Sequence, residues 1–129
     1  MEKAKILVVD DDVDFVESTA AILEARGYEV IGAYDGREGL EKAKSELPRL
    51  IIIDLMMNTI NEGYGFCLEI RKDKRFKDVP LLMISSAHQT EVFEDLNFVP
   101  DDIWFPIDTF LDKPVDRDTL LRYVSNLLE

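Results

Sequence analysis

Four aspartates, two serines and one lysine stand where short apolar runs stop. Asp10, Asp11 and Asp12 close the run Ile6-Leu7-Val8-Val9, and Asp54 closes Leu50-Ile51-Ile52-Ile53. Ser85 and Ser86 follow Leu81-Leu82-Met83-Ile84, and Lys113 follows Thr109-Phe110-Leu111-Asp112. Brought together, such carboxylates repel one another, and one of them tends to keep a proton. A divalent cation removes that cost. Mg2+ suits the set, since it binds through one or two carboxylates together with waters and phosphate oxygens. The cation then supplies the positive charge that a phosphoryl group needs. Asp54 can serve as a carboxylate nucleophile that forms an acyl phosphate, with Lys113 and Ser85 donating to phosphoryl oxygens. These residue types fit phosphoryl transfer to an aspartate better than acid–base hydrolysis. Each also has a plainer reading: the Asp10–Asp12 run can end a strand and cap a helix, and Ser85-Ser86 is ordinary loop chemistry.

The elements that would bring them together are legible in the apolar pattern. The runs at 6–9, 50–53 and 81–84, and a weaker one from Tyr28 to Tyr34, are strand-sized and apolar on both faces, as buried parallel strands are. Helical spacing fills the intervals. Phe15, Thr19, Ile22 and Leu23 line one face of a first helix that Gly27 stops. A second runs from about Gly36 to Leu47, with Leu40, Ala43 and Leu47 on one side and Pro48 beyond. A third includes Phe66, Cys67 and Ile70, with Arg71, Lys72 and Lys74 near its C-terminal end. The last carries Leu120, Leu121, Val124, Leu127 and Leu128. Alternating strands and helices predict a doubly wound, five-stranded parallel sheet with helices on both faces. Ligands bind outside the carboxyl ends of such strands, so the polar residues above would share one shallow cleft.

The 129 residues fit one domain, 1–129. Lys and Arg number 15 against 27 Asp and Glu, a net charge of −12 that argues against direct nucleic-acid binding. No apolar stretch is long enough for a signal peptide or a spanning helix, so no membrane contact is expected. The lone Cys67 points to a reducing, cytoplasmic setting, and its spacing with Phe66 and Ile70 places it in the core.

The motifs in order resemble the receiver domain of two-component response regulators, over nearly the whole chain. Ile6-Leu7-Val8-Val9-Asp10-Asp11 is similar to that family's first strand and acidic pair. Tyr34-Asp35-Gly36-Arg37-Glu38-Gly39-Leu40 resembles its second turn and helix. Ile51-Ile52-Ile53-Asp54-Leu55-Met56-Met57 resembles the phosphoacceptor strand, and Val79-Pro80-Leu81-Leu82-Met83-Ile84-Ser85 the strand with the Ser/Thr switch. Phe110-Leu111-Asp112-Lys113-Pro114 resembles the fifth strand with its switch aromatic and lysine. The resemblance implies a CheY-like, flavodoxin-like (βα)5 fold. It makes Asp54 the phosphoacceptor, Asp11 a direct Mg2+ ligand, and Asp10 a ligand through water or by sharing the site. Asp54 and the Met56 carbonyl complete the metal ligands, Ser85 and Lys113 hold phosphoryl oxygens, and Phe110 is the rotameric switch. It implies a phosphohistidine donor, either a histidine kinase or a histidine phosphotransfer protein, and a downstream protein of unknown identity. Such a domain is a signalling phosphoacceptor and not an enzyme. The Lys113-Pro114 bond is often cis in the family. Ser86 takes the place of a small residue.

Three departures stand out. Asn58 replaces the usual proline, and the loop Asn58 to Gly63 is about two residues longer than short-loop norms suggest. The segment from His88 to Asp108 carries Pro100, Pro106 and Trp104 and lacks a regular fourth-helix pattern; a short helix around Glu91 to Leu96 followed by a long loop is the expectation there. Trp104 and Phe105 either anchor a partner or cover the sheet edge, and cover is preferred. His88 reads as a solvated loop residue. With the last helix reaching Glu129, the expected output is a protein–protein contact, unless the sequence is part of a longer protein. Three other classes compete. A phosphate-ester hydrolase would want an acid at position 56, which is Met56. A nucleotide- or flavin-binding module would want a glycine-rich loop after the first strand. A receiver-like module that binds partners without phosphorylation is the alternative nearest in kind.

Overall fold

A computed structural model describes residues 3–54, 57, 60–86 and 107–129. The elements are β1 (Lys5–Val9), α1 (Val13–Ala25), β2 (Glu29–Ala33), α2 (Gly36–Glu46), β3 (Leu50–Ile53), α3 (Ile60–Lys72), a 3-10 turn (Lys74–Phe76), β4 (Leu81–Ser85), β5 (Thr109–Asp112) and α4 (Arg117–Leu128). The strands form one sheet in the order β2-β1-β3-β4-β5, with every neighbouring pair parallel. This is the doubly wound parallel sheet expected from the apolar runs, in the flavodoxin-like order that the resemblance implies.

Period-two alternation splits each run between two cores. Leu7, Val9, Ile51, Ile53, Leu81 and Met83 face α2 and α3, where they meet Ala43, Phe66, Cys67 and Ile70. Ile6, Val8, Leu50, Ile52, Leu82 and Ile84 face α1 and α4, meeting Val16, Leu23, Leu120, Leu121 and Val124. Covering both faces is why these strands carry no alternating polar residues. Each fully buried Leu or Ile is worth roughly 1.5–3 kcal/mol over leaving it in water. Cys67 is fully buried in the first core, and burial pushes its thiol up to about 12.

Aspartates start three of the helices. Asp12 accepts from the Phe15 amide, Asp35 from that of Glu38, and Asp116 from that of Thr119. Each satisfies a donor that the helix leaves open.

The ends differ from expectation in three places. α2 stops at Glu46, and Leu47 is 51% exposed with φ +50° rather than packed inside. Pro48 disfavours helical geometry at the residue before it, so Leu47 turns into the left-handed region and its N–H caps back onto Ala43. α3 stops at Lys72, and Lys74 begins the 3-10 turn that Asp73 caps. α3 also begins earlier than expected, so Ile60–Gly63 lie in its first turn rather than in a loop. There the Glu62 carboxylate accepts from the Gly36 amide at 2.7 Å, tying that turn to the start of α2.

At the amino-terminal edge of the sheet, Arg71 staples α3 to the approach of β4. Its Nη1 donates to the carbonyls of Phe76 at 2.8 Å and Val79 at 2.7 Å. Its Nη2 reaches Asp108 at 2.9 Å, whose carboxylate also accepts from the Leu81 amide at 2.7 Å. The expectations for Met56 and Asn58, and for His88, Trp104, Phe105, the 91–96 helix and the irregular segment as far as Pro106, lie outside the described residues.

Candidate functional site

β1 and β3 are neighbours, yet the chain leaves β1 toward β2 on one side and continues from β3 toward β4 on the other. The crevice between their carboxyl ends is therefore the switch point where such sheets bind ligands. The ladder extends one residue past each strand: the Asp10 amide donates to Ala33 at 3.0 Å and the Asp54 amide to Val9 at 3.0 Å. Both carboxylates are thereby fixed to the sheet edge. Asp10, Asp11 and Asp54 each present an oxygen, all within 4.8 Å of one another.

Lys113 arrives from the end of β5, where its amide donates to the Ser85 carbonyl at 2.9 Å. Its peptide bond to Pro114 is cis. The ammonium donates to Asp10 Oδ2 at 2.8 Å and to Asp54 Oδ2 at 3.3 Å. Asp10 and Ser85 are fully buried and Asp54 is 4% exposed, whereas Asp11 reaches solvent. The site is thus deeper than the shallow cleft expected, with Asp11 at its rim. Ser85 lies beside Asp112 and Phe110 beside Met83 in the β4–β5 register. Period two puts Ser85 and Phe110 on the same sheet face as diagonal neighbours, and Phe110 packs half-buried against the α2/α3 core.

The two readings of the aspartate run divide by residue. Asp12 is the helix cap, and its amide donates to Asp10 Oδ1 at 2.9 Å. Asp10 and Asp11 belong to the cluster with Asp54. Burial raises the Asp10 carboxyl above its ordinary value, with the Asp54 charge adding to it, against the hydrogen bonds from Lys113 and Asp12. Burial and the charge of Asp10 raise that of Asp11. Burial pulls the Lys113 ammonium down, but the Asp10 hydrogen bond and the charges of Asp54 and Asp10 outweigh it, and the net shift is upward. Three hard oxygen donors lie together, and the raised carboxyls of Asp10 and Asp11 mark a cost that a small divalent cation relieves. The donor set fits Mg2+.

Phe15 was legible only as a face of α1. Its ring lies 4.2 Å from Lys113 Nζ. The signal available was its place three residues after a capping aspartate, which aims a first-turn side chain back at the strand end.

A parallel 2-1-3-4-5 sheet whose switch point holds three carboxylates and a lysine defines a metal-assisted phosphoacceptor domain. The family model described as the response regulator receiver domain matches residues 6–125, and the chain belongs to that family. Among solved structures, the chemotaxis protein CheY4 of Vibrio cholerae superposes with a TM-score of 0.84 at 30% identity, covering 98% of this chain and 100% of that one. Protein PilH of Pseudomonas aeruginosa is 28% identical over 128 residues, 97% of this chain and 98% of that protein. The probable transcriptional regulator ycf27 of Porphyridium aerugineum is 43% identical over 86 residues. That match takes in 67% of this chain but only 34% of the regulator, so the chain spans about a third of that relative's length. Among the described residues, no helix is long and apolar enough to cross a membrane. The chain is a receiver domain whose acidic cluster is a Mg2+ site poised for metal-assisted phosphorylation.

Proposed function

We propose that residues 1–129 act as one receiver domain in which Asp54 takes a phosphoryl group from a phosphohistidine, presented by a histidine kinase or a histidine phosphotransfer protein. An Asp54 carboxylate oxygen attacks phosphorus. The new O–P bond forms as the P–N bond breaks, and the departing imidazole nitrogen keeps the electron pair and takes a proton. Lys113 pairs with a phosphoryl oxygen, and the Ser85 hydroxyl donates to another. Asp10, Asp11, Asp54 and the Met56 carbonyl would hold Mg2+, which when bound offsets carboxylate repulsion and the charge on the transferring group. The acyl phosphate carries a charge of about −2 where the carboxylate carried one negative charge, and it sets three acceptor oxygens beside Ser85. Drawing Ser85 toward them frees space for Phe110 to turn inward, and that change alters a face read by a downstream protein. A reducing cytoplasmic setting is supported by the single, buried Cys67.

The observation that carries this reading is the reach of Lys113 Nζ to both Asp10 and Asp54, 2.8 and 3.3 Å away. The test is intact mass after incubation with Mg2+ and acetyl phosphate. Wild type should gain one phosphoryl group and Asp54→Asn none. Labelling that survives Asp54→Asn, or no labelling of wild type by any donor, would overturn it.

A further inference from the structure

A ring of contacts closes around the site. Lys113 Nζ donates to Asp10 Oδ2 at 2.8 Å. Asp10 Oδ1 accepts from the Asp12 amide at 2.9 Å. Asp12 Oδ1 accepts from the Phe15 amide at 3.2 Å. The Phe15 ring completes the circuit, with its centroid 4.2 Å from Lys113 Nζ. We propose that Phe15 is a positioning residue for phosphoryl transfer: its ring face holds the Lys113 ammonium within reach of Asp54. This rests on the reading of Asp54 as phosphoacceptor.

A lysine reaches its target through four rotatable bonds, so an ammonium with carboxylates alone for partners has several poses. Cation–π attraction operates within about 6 Å of the centroid and strengthens as water is excluded. The Lys113 side chain is only 18% exposed. The ring's own position is set by two constraints. The Asp12 cap fixes the first turn of α1, and the half-buried ring packs against the core shared by α1 and α4, which includes Ile84 and Leu120. The ammonium stands nearer Asp10 than Asp54, so it must shift slightly to meet a phosphoryl oxygen. A ring face permits that shift without losing its attraction, because the ring contact, unlike the Asp10 hydrogen bond, does not depend on one donor direction. Leucine fills comparable space and carries no quadrupole. Holding a charged group in near-attack geometry lowers the barrier without touching the reacting atoms.

The test uses the full chain with Mg2+, following phosphorylation rate against acetyl phosphate concentration. Phe15→Leu should lower the maximal rate about fivefold, with little change in the donor concentration for half-maximal rate. Phe15→Tyr should restore it. Replacing Phe15 by 4-fluoro- and then 3,4,5-trifluorophenylalanine drains the ring face at nearly constant size, so the rate should fall stepwise. The Lys113 Hε protons should show an upfield ring-current shift in wild type that Phe15→Leu abolishes. Equal rates across the fluorinated series in a protein that still labels on Asp54 would overturn the proposal and leave the phosphoacceptor reading intact. A wild type that takes no label would sink both.

Discussion

Lys113 Nζ is closer to Asp10, at 2.8 Å, than to Asp54, at 3.3 Å. The ammonium therefore rests mainly on a carboxylate of the metal cluster and only secondarily on the proposed phosphoacceptor. A lysine cation and a divalent cation then compete for the charge of the same three aspartates. Coulomb energies at this separation are on the order of 1–4 kcal/mol between water-like and protein-like screening. Lys113→Met should raise Mg2+ affinity about tenfold while slowing phosphorylation by acetyl phosphate. Calorimetric titration reads the first effect, and an affinity equal to or weaker than wild type would show that the lysine charge is not felt at the cluster.

Arg71 lies at the opposite edge of the sheet from Asp54, and its role is mechanical. One guanidinium holds three carbonyls, those of Phe76, Lys77 and Val79, together with Asp108, and its side chain is 16% exposed. Arg71→Leu leaves those acceptors without their donor, which should cost about 2–3 kcal/mol in urea unfolding. The maximal phosphorylation rate should stay within twofold of wild type, roughly. A large loss of rate without loss of stability would mean that the two edges are coupled.

How much of this was legible beforehand depends on range along the chain. The runs 6–9, 50–53 and 81–84 declare themselves because a strand buried on both faces must be apolar throughout. Once the strands are ordered, the rule that ligands sit at carboxyl ends gathers Asp10, Asp11, Asp54 and Lys113 without reference to contacts. Periodicity says which face a residue takes, not what it meets there. Arg71 was legible as a helix-end cation but not as the partner of Asp108, 37 residues on. Glu62 gave no sign of capping α2, 26 residues back. Leu47 fitted the apolar stripe of α2, and only the steric demand of Pro48 turns it outward. The Phe15–Lys113 contact joins the first helix to the end of the last strand, and the Asp12 cap signals only the Phe15 half of it.

Asp73 supplies a pH dependence with a clear sign. The Arg75 side-chain hydrogen bond, at 2.8 Å, and the Arg75 amide, at 3.0 Å, hold its carboxyl down to about 2. A folded value below the ordinary 3.8 means that the contribution is present above 3.8 and is lost as pH falls toward 2. The 3-10 turn at Lys74–Phe76 should loosen over that interval while the sheet persists. The Arg75 amide chemical shift should titrate there. In Asp73→Asn that titration should vanish, and its survival would place the acid-sensitive group elsewhere.

Two helical glycines should respond to alanine with opposite signs. A Cβ on Gly39 of α2 would come within 3.0 Å of Phe66 Cε2 and of both Val9 γ-carbons. Val9 is fully buried and Phe66 is 2% exposed, so neither yields freely, and such overpacking costs about 1–3 kcal/mol. The gain in helix propensity returns about 1 kcal/mol, leaving Gly39→Ala destabilised by roughly 1 kcal/mol. Gly65 lies inside α3 with nothing within 4 Å of its added Cβ. Only the propensity gain acts there, so Gly65→Ala should be stabilised by up to about 1 kcal/mol. Urea midpoints should therefore move down for the first and up for the second. Because Val9 directly precedes Asp10, the strain in Gly39→Ala has a path to the acidic cluster, and its Mg2+ affinity should fall while that of Gly65→Ala holds. Two variants that both gained stability would mean that β1, α2 and α3 pack with slack the contacts do not show.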